Sequence, residues 1–200
     1  MKAKTVSVAA FPAAKDYVES LREVLLRLDY AVIDRMVEDL WTAYQEERTI
    51  FFFGNGGSAA LASHLACDMG KGTIARGKRR FRAISLADNI PLMTAWANDF
   101  SYQDIFAEPL AGLVRKDDRA FAISGSGNSM NVVRGLEVAR EAGAKTLVLT
   151  GYEGGRVRGL ADLCLIVPSN NMQHIEDAHL CSAHAIFTTL RQRMEQLGGA

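Results

Sequence analysis

Thr49-Ile50-Phe51-Phe52-Phe53 runs directly into Gly54-Asn55-Gly56-Gly57-Ser58, and an apolar-periodic stretch over residues 59–69 follows at once. A short, continuous apolar run is the pattern of a strand covered on both faces. Glycines permit positive φ and let an anion approach the backbone amides, while a helix starting there presents unsatisfied N–H groups and the positive end of its dipole. Ser58 can cap that helix or donate its hydroxyl to a ligand. Taken alone, this corner reads equally well as a tight turn with a serine cap.

Working outward, the unit repeats. Residues 49–53, 81–85, 119–124, 145–150 and 163–167 are short β-rich runs, with helical patterns over 59–69, 90–97, 102–114, 131–142, 155–161 and 173–196. This alternation predicts a parallel sheet within a three-layer α/β/α sandwich. Ahead of it, Pro12 to Arg48 holds no glycine, and Val18, Leu21, Leu25, Leu28, Val32, Ile33, Met36, Val37, Leu40 and Tyr44 recur at helical spacing. The stretch is one long helix or a broken pair, with Pro12 suited to a first turn. Residues 1–48 are expected to form an oligomerisation arm, the alternative being a hairpin folded on its own domain, and residues 49–200 one structural unit.

The second corner, Ser124-Gly125-Ser126-Gly127-Asn128-Ser129, also closes a strand and opens a helix. It lacks the lysine of a P-loop and does not read GxGxxG, so a phosphomonoester suits it better than a nucleoside triphosphate or a dinucleotide. Ligands of open parallel sheets sit beyond the C-terminal strand ends, so both corners are expected to face one crevice.

Composition narrows the partners. The 200 residues carry 23 Lys plus Arg against 23 Asp plus Glu, which leaves no excess of cations for nucleic acid or an anionic membrane. Cys67, Cys164 and Cys181 form no CxxC pair and suit a reducing compartment, so the expected location is the cytoplasm. Met1 to Ala10 is too weakly apolar for a signal segment, and no apolar run approaches ~20 residues. Arg76-Gly77-Lys78-Arg79-Arg80-Phe81-Arg82 reads as a solvated loop entering a strand, or as a patch for a partner.

Candidate chemistry clusters in two places. His64 and Asp68 stand four apart, on one face of the helix after the first corner, a spacing for a metal pair or an acid and base. The alternative is a satisfied histidine beside a solvated aspartate. Three of the four histidines fall between His174 and His184, near Glu176 and Asp177. Spacing alone pairs Glu176 with His179 and leaves His184 about 12 Å along the axis from Glu176. Asn98-Asp99 reads as a turn, and Trp96 as core rather than a sugar-stacking platform.

Gly54-Asn55-Gly56-Gly57-Ser58, Asn98-Asp99-Phe100, Ser126-Gly127-Asn128-Ser129, Leu149-Thr150-Gly151 and a histidine-bearing last helix occur here in an order that resembles the sugar isomerase (SIS) domain proteins, and within them the phosphoheptose isomerase group. The resemblance spans nearly the whole chain. It implies a five-stranded parallel sheet, a homotetramer held partly by N-terminal helices, and active sites near subunit boundaries. It implies that Asn55, Gly56, Gly57 and Ser58 meet the sugar phosphate, Asn98 and Asp99 the sugar hydroxyls, and Ser124, Gly125, Ser126 and Ser129 the phosphate. It further implies one zinc ion per subunit, held by His64, Asp68, Glu176 and His184, with Asp68 as base and His184 as acid or ligand, and with Asp68 and Glu176 touching substrate.

Two of these residues depart from the family pattern, which has Glu at position 68 and Gln at 176. Asp68 shortens the base by one methylene, and a misplacement near 1 Å costs about a hundredfold in rate. Glu176 adds a negative charge that would hold zinc more tightly while leaving it a weaker polariser. Gly125 stands where many relatives carry a hydroxyl residue. The expected function is conversion of sedoheptulose 7-phosphate to the aldose D-glycero-D-manno-heptose 7-phosphate through an enediolate. The alternatives are an isomerase of another sugar phosphate, and a non-catalytic SIS-type phosphosugar-binding regulator or tetrameric adaptor.

Overall fold

The computed structural model describes residues 14–198 and places a five-stranded parallel sheet at the centre of the molecule. The strands are β1 (Thr49–Gly54), β2 (Arg82–Ser85), β3 (Arg119–Ser124), β4 (Lys145–Thr150) and β5 (Leu163–Ile166), in the order β2-β1-β3-β4-β5. β1 and β3 are buried along their whole length, as their unbroken apolar runs require. Successive side chains alternate between faces. Ile50 and Phe52 join Phe121, Ile123, Leu147 and Leu149 in one core cluster, while Phe51 and Phe53 join Ala120, Ala122 and Val148 in another.

The first face is covered by α2 (Tyr30–Gln45), α3 (Gly57–Cys67) and α7 (Met172–Gly198), through residues such as Leu40, Leu65 and Ile186. The second is covered by α5 (Ala107–Leu113) and α6 (Met130–Glu141), with Met93 and Trp96 of α4 (Ile90–Asp99) packed at its margin. Trp96 is thus part of the apolar packing, tilted against Phe100 with ring centroids 4.8 Å apart. Among the described residues no helix is long and apolar enough to cross a membrane.

The N-terminal stretch is a broken pair, α1 (Ala14–Leu26) and α2; Pro12 lies outside the described residues. Asp29 ends the break by accepting from the Val32 N–H at 3.2 Å, an N-cap bond. Met36, Leu40 and Ala43 are fully buried, so α2 belongs to the core of its own chain. α1 buries only Val24 and leaves Val18 and Leu26 exposed.

Two expected helices are different in kind. Residues 102–114 split into a 3₁₀ turn, Tyr102–Asp104, and α5. Pro109 has no N–H and would clash with the carbonyl four residues back, so the helix restarts just ahead of it, leaving Pro109 in its first turn. Residues 155–161 form only a 3₁₀ turn, Arg156–Leu160, entered through Gly154 and Gly155 at φ 92° and 58°. The first site helix also ends early: after Cys67 the chain widens into a π-helical turn, Asp68–Gly72.

At the bottom of the sheet Arg119, 1% exposed, donates from Nε to Asp39 Oδ2 at 2.9 Å and from Nη2 to Oδ1 at 3.2 Å. Lys145 Nζ reaches the same carboxylate at 3.0 Å. Removing one partner of a buried pair strands the other charge. Asp39→Ala should therefore lower unfolding free energy by about 3–5 kcal/mol, measured by urea denaturation.

On the inward stripe of α7, burial pushes the pKa of His179 down to about 4, with the Thr150 backbone partly opposing. Between about pH 6.5 and 4 the unfolded chain binds a proton that the native state excludes, so stability falls as pH drops through that window; above it the residue contributes nothing to the pH dependence. Denaturation at pH 7 and pH 5 should show His179→Gln losing about 2 kcal/mol less than the wild type on acidification.

Candidate active site

The strand order reverses between β1 and β3, because the chain leaves β1 to build β2 on one side and returns to build β3 on the other. Both corners close these two neighbouring strands, where Gly54 lies opposite Ile123. A Cβ on Gly54 would fall 2.6 Å from the Ile123 carbonyl oxygen and 2.7 Å from Ser58 Cβ, so only glycine lets the strands and α3 meet this closely. Gly56, at φ 54°, caps α3 without any side-chain bond to the helix amides. Asn55 and Asn131 exchange amide hydrogen bonds of 2.8 and 2.7 Å, tying the first corner to the helix that follows the second. Tyr102 adds a third bond, its hydroxyl donating to Asn55 Oδ1 at 3.0 Å.

In the second corner Gly127, at φ 66°, packs so tightly on Gly154 that a Cβ would meet its carbonyl oxygen at 2.1 Å. Ser124 is buried and its Oγ has no hydrogen-bond partner among the described residues. Ser129 stands at the N-cap of α6 without bonding the helix through its side chain. Ser126 Oγ accepts from the Asn128 N–H at 3.3 Å. A Cβ on Gly125 would lie 2.6 Å from Met172 Sδ, so the methionine fills the space that a hydroxyl side chain would take.

α3 and α7 run side by side. Gly57 faces Glu176, whose Oε1 would be 3.4 Å from a Cβ there, and about two turns further down His64 faces His184. The two Nε2 atoms are 3.0 Å apart, and His64 Nε2 is 3.2 Å from Asp68 Oδ2. The π turn, beginning at Asp68, follows immediately on α3. The donor atoms of His64, Asp68 and His184 all lie within 4.8 Å of one another. Two imidazole nitrogens and a carboxylate oxygen are zinc ligands by type, and a tetrahedron with bonds near 2.05 Å has edges of about 3.3 Å, close to these separations. The residues fit the ion. Glu176 stands outside this group, because seven or eight residues of helix separate the two levels.

A cavity of about 290 Å³ opens between α3 and α7, lined by Gly57, Ser58, His64, Glu176 and His179 among others. The Ser124–Ser129 corner is not part of that lining. Asn98 and Asp99 are exposed at the end of α4 and bond to one another at 2.8 Å, also outside it. Several contacts have no signal in the sequence. Tyr17 of α1 donates to Asp177 Oδ2 at 2.5 Å, which with burial pushes its own pKa up to about 12, and Ser20 Oγ lies 3.0 Å from His174 Nε2. These bonds fasten α1 to the start of α7 beside Glu176. His179 was visible as part of the histidine cluster, but its burial was not.

Residues 15–151 match the model of the SIS domain. The chain is 36% identical over 174 residues to the phosphoheptose isomerase of Helicobacter pylori strain P12, covering 87% of this chain and 86% of that one. It is 39% identical over 163 residues to that of Mycobacterium tuberculosis strain ATCC 25177 / H37Ra, covering 82% and 81%. The solved phosphoheptose isomerase of Neisseria gonorrhoeae superposes with a TM-score of 0.81 at 27% identity, covering 88% of this chain and 95% of that one. With the two corners, the sheet order and these likenesses in agreement, the chain belongs to the SIS domain family and, within it, to the phosphoheptose isomerase group.

Proposed function

We propose that the protein converts sedoheptulose 7-phosphate to D-glycero-D-manno-heptose 7-phosphate. The observation that carries the reading is the convergence of His64, Asp68 and His184 below two glycine- and serine-rich corners on adjacent strand ends. The N-termini of α3 and α6 favour an anion there, and the Ser124 and Ser129 hydroxyls, free of other duties, support a phosphate role for the second corner. At Gly125 only the backbone N–H is offered to the phosphate. Asn55, Gly56, Gly57 and Ser58 would approach from the first corner, with Asn98 and Asp99 on the hydroxyls.

Isomerisation removes a proton from C1 of the ketose and returns it to C2, while a proton passes from O1 to O2. Asp68 is assigned as the base for the carbon proton, and its contact with His64 orients it. His184, at the same level, moves the proton between the oxygens or serves as a ligand. Zinc is proposed on His64, Asp68 and His184, and when bound it supplies Lewis-acid polarisation of the sugar oxygen. Glu176, facing Gly57 and lining the same cavity as His64, is assigned to touch substrate and to complete the zinc set from the start of α7. A homotetramer accords with the apolar residues left exposed on α1 and around α4, such as Val18, Ile90 and Phe100. The three free cysteines support a cytoplasmic setting.

Asp68→Asn should lower kcat on sedoheptulose 7-phosphate by at least about a hundredfold while ligand affinity stays within about threefold, measured by coupled assay and calorimetry. An inert wild type that still binds the sugar phosphate would leave a binding module in place of an enzyme. Zinc titration should give a one-to-one site in the wild type that His184→Ala weakens by at least about tenfold, read directly as zinc affinity.

A further inference from the structure

One side chain in the cavity between α3 and α7 is used neither by the phosphate corners nor by the His64–Asp68–His184 group. His179 is 1% exposed and lines the cavity; its ring leans on the Thr150 backbone, and neither Nδ1 nor Nε2 makes a well-formed hydrogen bond among the described residues. Buried polar groups are nearly always paired, and leaving one unpaired is costly. Two more buried groups at the same end of the sheet share this condition: Ser124 Oγ and Thr150 Oγ1, on residues paired in register across β3 and β4. Orphaned polar atoms at a ligand-binding strand end point to a partner from outside the chain.

The chemistry of the imidazole restricts that partner. Burial keeps the ring neutral, so it has no charge to hold a phosphate dianion, and with its N–H side turned to the Thr150 backbone it has a lone pair to offer. A hydroxyl, which can donate to that lone pair, is its complement. Leu61, Ile123 and Leu180 supply apolar wall beside it, suited to the C–H faces of a carbon chain. We propose that His179 hydrogen-bonds a hydroxyl of the bound sugar's carbon chain and so sets which phosphosugar is accepted. The inference rests on the isomerase reading for its ligand, and it adds a specificity-determining residue to that site.

Calorimetry on the full chain with two probes tests it: sedoheptulose 7-phosphate, and methyl phosphate, a phosphomonoester with no hydroxyl on its carbon. His179→Leu should weaken sedoheptulose 7-phosphate about tenfold and methyl phosphate by less than about twofold, and His179→Gln should recover part of the loss. Equal weakening of both probes, as for a histidine that only supports the fold, overturns the proposal, and so does an unchanged affinity for the sugar. Should the leucine variant fail to fold, ¹⁵N spectra of the wild-type ring decide: the His179 ring resonances shift with sedoheptulose 7-phosphate and not with methyl phosphate, and resonances unmoved by the sugar overturn it. Wild type that binds the sugar without turnover, with the contrast between probes intact, removes the isomerase reading and leaves His179's role standing. Turnover with His179→Leu unaffected removes only the latter, and a wild type that binds no sugar phosphate removes both.

Discussion

The pairing of β1 with β3 is the constraint from which the rest of the site follows. The chain departs from these two strands toward opposite faces of the sheet, α3 packing on one and α6 on the other. Their N-termini therefore diverge from adjacent points and leave a gap between two positive helix ends, the common ligand position of open α/β sheets. Such a gap stays narrow only if the backbones can close on each other. Gly54 permits this against the Ile123 carbonyl, the Asn55–Asn131 amide pair spans the opening, and Gly127 lets the second corner close on Gly154 in the loop after β4.

The second ingredient is the parallel advance of α3 and α7. Because the helices keep step, chemistry is sorted by level: Gly57 with Glu176 near the strand ends, His64 with His184 about two turns below. Under the proposed function, this spacing puts ligand recognition at one level and proton transfer at another.

The sheet was legible in the sequence because its inner strands β1, β3 and β4 are buried and read as largely apolar runs, and because the two corners combine glycine with hydroxyl residues at strand ends. His64 and Asp68 were legible through their spacing. Other features depend on packing over long separations. Tyr17 and Asp177 are 160 residues apart, and nothing local marks them as partners. The division of residues 102–114 was signalled by Pro109, whereas apolar periodicity ran across it. That α2 belongs to the core could not be decided from its stripe alone, since an interface with another subunit asks for the same pattern. His179 shows the converse: its residue type was conspicuous, while its lack of a well-formed hydrogen bond is a property of the folded surroundings.

The basic run ahead of β2 acquires a role from the strand it introduces. β2 is an outer strand of only four residues, with Ile84 41% exposed, and an open strand of that kind invites hydrogen bonding from a neighbouring molecule. Arg79 is pinned to Glu47 at 2.6 Å, and Arg80 and Arg82 surround Phe81, whose own ring is buried against Tyr44. With Arg79 paired, Arg80 and Arg82 still leave positive charge on that edge, and like-charge repulsion disfavours side-by-side pairing of two copies there.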